Sequence, residues 1–317
     1  MRKKASPLVA LGYALVTILA LAVPFVGLYP VLVMKILCFA IFACAFNLLF
    51  GFTGLLSFGH AAFFGSAAYA TGWIVRSAGL APELGILFGV LVAAVLGLLI
   101  GLVAIRRQGI YFAMITLALA QMVFFACLQA PFTHGEDGLQ GVPRGRLFGV
   151  LPLDADLSMY YFVLAVFAAV FLFIRRIVHS PFGQVLKAIR ENEPRAISLG
   201  YAVDRHKLLA FVLSAAFAGL AGSLKTLVLG FATLSDVHWS MSGEVILMTL
   251  LGGLGTFFGP VVGGTIVIAL QDLLADRVGS WVTVIIGGIF VVCVLLFRRG
   301  IVGEFVAYRE RRVARAL

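Results

Sequence analysis

Long apolar runs separated by short polar interruptions dominate this chain. Six of them stand out by their length, at 8–28, 31–50, 84–105, 110–130, 159–178 and 208–229. A bilayer core about 30 Å thick requires roughly 20 apolar helical residues, so each of these runs is long enough to cross it. Four further stretches, 55–75, 245–254, 257–274 and 281–297, are shorter or interrupted by glycine. The pattern predicts an all-α integral membrane protein of about ten transmembrane helices, some broken or re-entrant, forming one polytopic domain over residues 1–317. The first run follows Arg2, Lys3 and Lys4 as the apolar part of a signal peptide would. It is long, however, and no small-residue cleavage site follows it, so it reads as the first helix.

Two polar segments exceed the others in length, 131–158 and 175–207, and span parity puts them on opposite sides of the membrane. The first carries Gly135, Gly138, Gly141, Pro143 and Gly145 and has no helical periodicity. It reads as an irregular outer loop or lid, either a solvated connector or a docking surface. The second contains GQVLKAIRENEPRAISLGYAV (183–203), which sets Val185, Ile189 and Ala196 at helical intervals among charges, with Gly183 and Gly200 as punctuation. That pattern predicts a short amphipathic helix, a turn and a second short helix, with Pro194 in the first turn of the second and Asn192 or Glu193 as its cap. Such a segment either lies on anionic lipid or docks on a protein. Glu191, Glu193 and Asp204 favour the protein, because acids oppose binding to anionic headgroups.

Composition narrows the class. With 62% hydrophobic and 12% charged residues, the chain has more apolar surface than a water-soluble core of this size could hide. A net charge of +10 would admit a nucleic-acid partner if the basic residues formed one patch. They sort by loop instead. Eighteen Lys and Arg, with five acids, fall in the head, at Arg106 and Arg107, in 175–207 and from Arg298 onward. The alternate loops carry Arg76, Arg144, Arg146 and Arg277 against eight acids. Basic loops stay cytoplasmic, so both termini are expected inside and nucleic acid is not a partner. Cys38, Cys44, Cys127 and Cys293 lie in apolar spans without paired spacing or His partners and read as packing residues, neither disulfides nor metal ligands.

No catalytic constellation is visible, because His60, His134, His179, His206 and His238 are scattered over different loops and spans. Gly219 followed by Lys225-Thr226 has the outer spacing of a phosphate-binding loop, but Leu224 stands where a glycine is required. Ionisable groups within the spans are sparse. Lys35 and Lys225 lie close enough to span ends to snorkel, and Glu244 and Asp272 also sit near ends. The energy source is therefore expected in a partner that grips the inner loop.

Glycines cluster twice, as Gly51, Gly54, Gly59 and Gly65 and as Gly252, Gly253, Gly255, Gly259, Gly263 and Gly264 around Pro260. They serve close helix packing, or they mark broken backbone that lines a pathway. Phe58, Gly59, His60, Gly65, Gly252, Gly253, Gly255, Gly259 and Pro260 are the pathway or hinge candidates; His60 is either a satisfied interior histidine or a substrate contact. Phe58-Gly59 with Gly65 and Phe258-Gly259 with Gly264 also share a short phrase, a hint of internal repetition.

Four phrases, taken in order, resemble a known family: GFTGLLSFGHAAFFGSAAYATG (51–72), GQVLKAIRENEPRAISLGYAV (183–203), LAFVLSAAFAGLAGSL (209–224) and MTLLGGLGTFFGPVVGG (248–264). From about residue 30 to 300 the chain resembles the membrane permease subunits of branched-chain amino-acid ATP-binding cassette importers, the larger of the two permease types. The resemblance implies a multi-pass protein of the bacterial inner membrane, assembled with a second permease, two cytoplasmic ATPase subunits and an external or periplasmic solute-binding protein. It implies that ATP is used by those partners and that this chain binds no cofactor. Lys187, Arg190, Glu191, Asn192, Glu193, Ala196 and Gly200 would form the coupling helices that seat in an ATPase groove. Ala196 and Gly200 keep the family's spacing, while Pro194 and Arg195 replace the first two positions of its Glu-Ala-Ala. Alternating access driven by the ATPase is the implied mechanism. Leucine, isoleucine and valine are the default substrates; similar permeases take urea, short amides or aromatic acids. A self-sufficient secondary transporter is the reading from a different class.

Overall fold

The computed structural model describes residues 29–149, 151–296 and 300–304. The run expected at 8–28 lies outside them. The described helices are α1 (Pro30–Thr53), α2 (His60–Ser77), α3 (Pro82–Ala104), α4 (Ile110–Gln129), α5 (Asp156–His179), α6 (Pro181–Glu191), α7 (Glu193–Ser198), α8 (Val203–Leu229), α9 (Trp239–Gly252), α10 (Gly259–Val278) and α11 (Val282–Leu296). Among them α1, α3, α4, α5 and α8 are long and apolar enough to cross a membrane. The architecture is that of an all-α integral membrane protein.

Proline sets several starts. Pro30, Pro82, Pro181, Pro194 and Pro260 each occupy the first turn of a helix, where a missing N–H costs nothing and the fixed φ is already helical. Helix α9 begins at Trp239, ahead of the apolar stretch at 245–254, because the His238 ring accepts a hydrogen bond from the Ser240 N–H and caps that turn.

Helix α2 packs against α3 and α8, and its Phe64 and His60 rings meet Phe42 and Phe46 of α1. It is buried along almost its whole length, so Ser66 and Thr71 meet protein, not lipid. Thr71 donates to the Gly85 carbonyl (3.0 Å) and shares a 2.7 Å hydrogen bond with Ser223, tying α2 to α3 and α8. Gly222 of α8 lies directly on the Phe64 carbonyl of α2, a distance at which no side chain fits. Helices α3 and α4, by contrast, turn Leu87, Leu91, Leu99, Met114 and Met122 outward. Outward apolar stripes of this kind suit hydrocarbon, which is as apolar as leucine itself.

The segment between α4 and α5 is largely exposed but is fastened to the bundle at a few buried residues. It holds two 3-10 turns, Pro131–Thr133 and Gly135–Asp137, and a small hairpin of β1 (Arg146–Leu147) and β2 (Leu151–Pro152) in which Leu147 pairs with Leu151. Leu139 and Ala232 exchange backbone hydrogen bonds of 2.8 and 2.9 Å, and Leu139, Val142 and Leu153 are buried. Segment 175–207 forms the expected helix, turn and helix, as α6 and α7.

Candidate coupling and pathway site

Two helix breaks meet at the end of the bundle that carries α6. Helix α1 ends at Thr53 with Gly54 in the left-handed region (φ 82°), and α2 starts only at His60. Helix α9 ends at Gly252, and α10 starts at Gly259. The residues that precede the two new helices have nearly the same backbone: Gly59 at φ −93°, ψ 0° and Phe258 at φ −90°, ψ −15°. A hydroxyl in each break steadies the start of the new helix, Ser57 accepting from the Gly59 N–H (3.1 Å) and Thr256 from the Gly259 N–H (3.1 Å). The two starts are alike but one residue out of step with the shared phrase, since Gly59 precedes α2 whereas Gly259 is the first residue of α10.

Asn47, inconspicuous in the sequence, joins the breaks. Its amide donates to the Thr256 carbonyl (2.9 Å) and accepts from the Gly255 N–H (2.9 Å), and it is almost wholly buried. Non-helical backbone within an apolar bundle survives only where protein satisfies it, and Asn47 does this for residues 255–256. A Cβ on Gly51 would stand 2.8 Å from the Gly255 nitrogen, so the segments touch through backbone. One signal was available, because Asn47 is the sole amide in the apolar run 31–50.

The coupling candidates divide. Arg190 reaches from α6 to donate to the Gly51 carbonyl, Lys187 lies over the Phe52 ring at 6.0 Å, and Phe52 meets Phe257 at 5.5 Å. Asn192, and not Glu193, caps α7 by accepting from the Arg195 N–H at 3.0 Å. Glu193 turns inward, to Lys207 (2.6 Å) and Gln108 (2.8 Å). Ala196 is buried with Ile189 and Val203, and Gly200 ends the segment at φ 84°. Glu191 is exposed. So are Ile197 (57%), Leu199 (67%) and Tyr201 (43%), three large apolar side chains among charges.

The pathway candidates divide as well. Gly252, Gly253, Gly255, Gly259 and Pro260 belong to the α9–α10 break, whereas Gly65 lies away from it against Val237. Phe58 donates through its N–H to Thr116 of α4 (3.2 Å). His60 is fully buried, ringed by Phe46, Phe63 and Phe211, and bonded to Ser214 (2.8 Å). Ser214 spends its proton on the Ala45 carbonyl (2.6 Å), so the His60 Nε2–H is the donor in that pair. His60 is thus an interior residue that ties α2 to α8 through Nε2, while its Nδ1 is buried without a hydrogen-bond partner.

Lys225 does not snorkel. It forms an ion pair of 2.7 Å with Asp236, which looks in the sequence like one more loop acid, and the two side chains are 6% and 3% exposed. Asp236 also accepts from the Thr233 N–H (2.9 Å), and Lys225 stands over Phe231 at 4.6 Å. The loop after α8 folds back over the helix end, and a cation with an anion this near has no reason to reach for water. Lys225-Thr226 also lies within continuous helix, so no phosphate-cradling loop exists there. A cavity of about 370 Å³ opens between α2, α3 and α4, lined by Tyr69, Trp73, Phe88, Val92, Cys127 and Phe132. Its walls are apolar and offer no charge to an amino acid's ammonium or carboxylate. Among the described residues no group of three or more His, Cys, Asp or Glu is placed to hold a metal ion.

A helical membrane bundle of this kind, broken twice beside an amphipathic helix pair, suits a transport permease. Residues 29–295 match the family described as branched-chain amino acid transport system, permease component, and the chain belongs to that family. It is 27% identical over 286 residues to the high-affinity branched-chain amino acid transport system permease protein LivM of Salmonella typhimurium, covering 83% of this chain and 67% of that protein. LivM of Escherichia coli matches over the same extent at 27%. The autoinducer 2 import system permease protein LsrC of Klebsiella pneumoniae is 29% identical over 215 residues, 66% of this chain and 59% of that protein. These relatives are transport permeases and not enzymes, and the same holds for this chain. No solved structure matches it.

Proposed function

We propose that this chain is the permease subunit of an ATP-driven importer of branched-chain amino acids, forming half of the translocation pathway. Its partners are a second permease, two cytoplasmic ATP-binding subunits that hold the ATP, and an external or periplasmic solute-binding protein. It sits in the bacterial inner membrane with both termini inside, and it binds no cofactor. The observation that carries the ATPase partner is the exposed trio Ile197, Leu199 and Tyr201 on α7 and the turn after it. In water such a patch, rimmed by Glu191 and Arg195, is an interface in want of a cover. The likeness to LivM supports the substrate; the likeness to LsrC favours a second reading, in which the cargo is another small solute.

The test is reconstitution. Vesicles holding the full set of subunits are expected to accumulate labelled leucine with ATP and the loaded binding protein, and an Ile197→Glu, Leu199→Glu double variant is expected to lose the ATPase subunits on purification. Uptake by this chain alone, driven by an ion gradient, would overturn the proposal. Calorimetry on the cognate binding protein separates leucine from other cargo.

A further inference from the structure

Helix α1 ends without a basic residue in its own last turn; the Gly54 N–H closes the Phe50 carbonyl and the Leu55 N–H the Leu49 carbonyl, and Gly51 carries the next carbonyl beyond them. Arg190 supplies the missing donor from another element. Its guanidinium donates to the Gly51 carbonyl, a cation at the negative end of a helix. Along the way its stem crosses Gly54, whose added Cβ would lie 3.2 Å from the Arg190 Cγ, and its Nη1 would lie 3.0 Å from a Cβ on Gly255. One side chain on α6 therefore bears on a glycine of each break. Gly54 and Gly255 both have positive φ, at 82° and 71°, so neither tolerates the side chain that would push Arg190 away.

Helix α6 also packs on α1, with Leu186 wholly buried in the core that holds Phe52 and Leu55. Lys187 faces Phe52, the His179 ring stacks on Phe257 at 5.0 Å, and Asn47 fastens 255–256 to α1 from the far side. We infer that Arg190 is a positioning residue, the pin through which displacement of α6 moves both breaks together. This rests on the proposed ATP-driven function and gives a further role to a residue that the family resemblance places in the coupling helices.

The assembled importer, with its ATPase subunits and binding protein in vesicles, tests the pin through Arg190→Gln and Arg190→Lys. Recovery of the intact complex is measured first, and then the ATP hydrolysed per solute imported. Arg190→Gln is expected to keep its ATPase subunits while that ratio rises about tenfold, the size of a typical inter-site coupling. Arg190→Lys, which still donates to a carbonyl, is expected to restore most of the ratio, a rescue that a purely structural role does not predict. Asn47→Ala, acting from the other side of the junction, is expected to raise the ratio in the same direction. Loss of the ATPase subunits in Arg190→Gln would make Arg190 a docking residue and overturn the pin; so would an unchanged ratio. If the unmodified chain recovers no ATPase subunits at all and transports alone, the importer reading falls first and takes the pin with it.

Discussion

The two ends of the bundle hold their connecting segments by different chemistry. At one end the loop after α8 is fastened by the buried Lys225–Asp236 pair, and segment 131–155 is stitched to it through Leu139 and Ala232. At the other end Arg190 and Asn47 hold the breaks through backbone carbonyls and an amide N–H. An ion pair taken out of water has a single acceptable partner, and separating it strands two charges. A guanidinium on a helix end finds another carbonyl one residue away. The first arrangement behaves as a clasp and the second as a joint, and the joint is the one that adjoins α6.

That contrast can be broken, most forcefully at the clasp. Asp236→Ala leaves the Lys225 ammonium buried without its counterion and is expected to cost about 3–5 kcal/mol, read as a lower unfolding temperature of the purified protein. Lys225→Met combined with Asp236→Leu should recover much of that loss, and a double variant as unstable as the single one would deny the clasp its role. At the joint, Asn47→Ala abandons the Gly255 N–H and the Thr256 carbonyl and is expected to cost about 1–3 kcal/mol, with a larger effect on transport than on stability. A reversed ranking of the two ends in transport would dissolve the distinction. Ser214→Ala, in the core between them, removes the acceptor for His60 and should cost about 1 kcal/mol, as polar contacts between membrane helices do. The smallest effect belongs to Asp156→Asn: its bond with Arg144 is 2.6 Å long but its side chain is 51% exposed, and less than about 1 kcal/mol is expected in a denaturation series.

The helices were readable because lipid demands long uninterrupted apolar runs, and the expected stretches at 31–50, 84–105, 110–130, 159–178 and 208–229 each lie on a single helix, give or take a residue. The α6–α7 pair was readable because Pro194, Asn192 and Gly200 carry their own local rules for starting, capping and ending a helix. Lys225 was misread because its distance from the helix end is local information, whereas Asp236 reaches it only through the fold of the following loop. His60 stayed ambiguous for the same reason: Ser214 lies 154 residues away, and only packing decides whether a histidine meets a pathway or a serine. The bond from Arg190 to the Gly51 carbonyl was equally hidden, because the two residues lie far apart in the sequence.

By itself the sequence determined that this is a helical membrane protein, roughly where its spans lie, and that an amphipathic helix pair interrupts them. Those features arise from the period of the apolar pattern and from proline, glycine and capping residues acting within a few positions of one another. The tertiary structure alone decided that the two glycine-rich breaks touch, that Asn47 and Arg190 fasten them, and that Lys225 has a buried counterion. Each of these joins residues distant along the chain, and a contact of that kind has no periodicity to announce it.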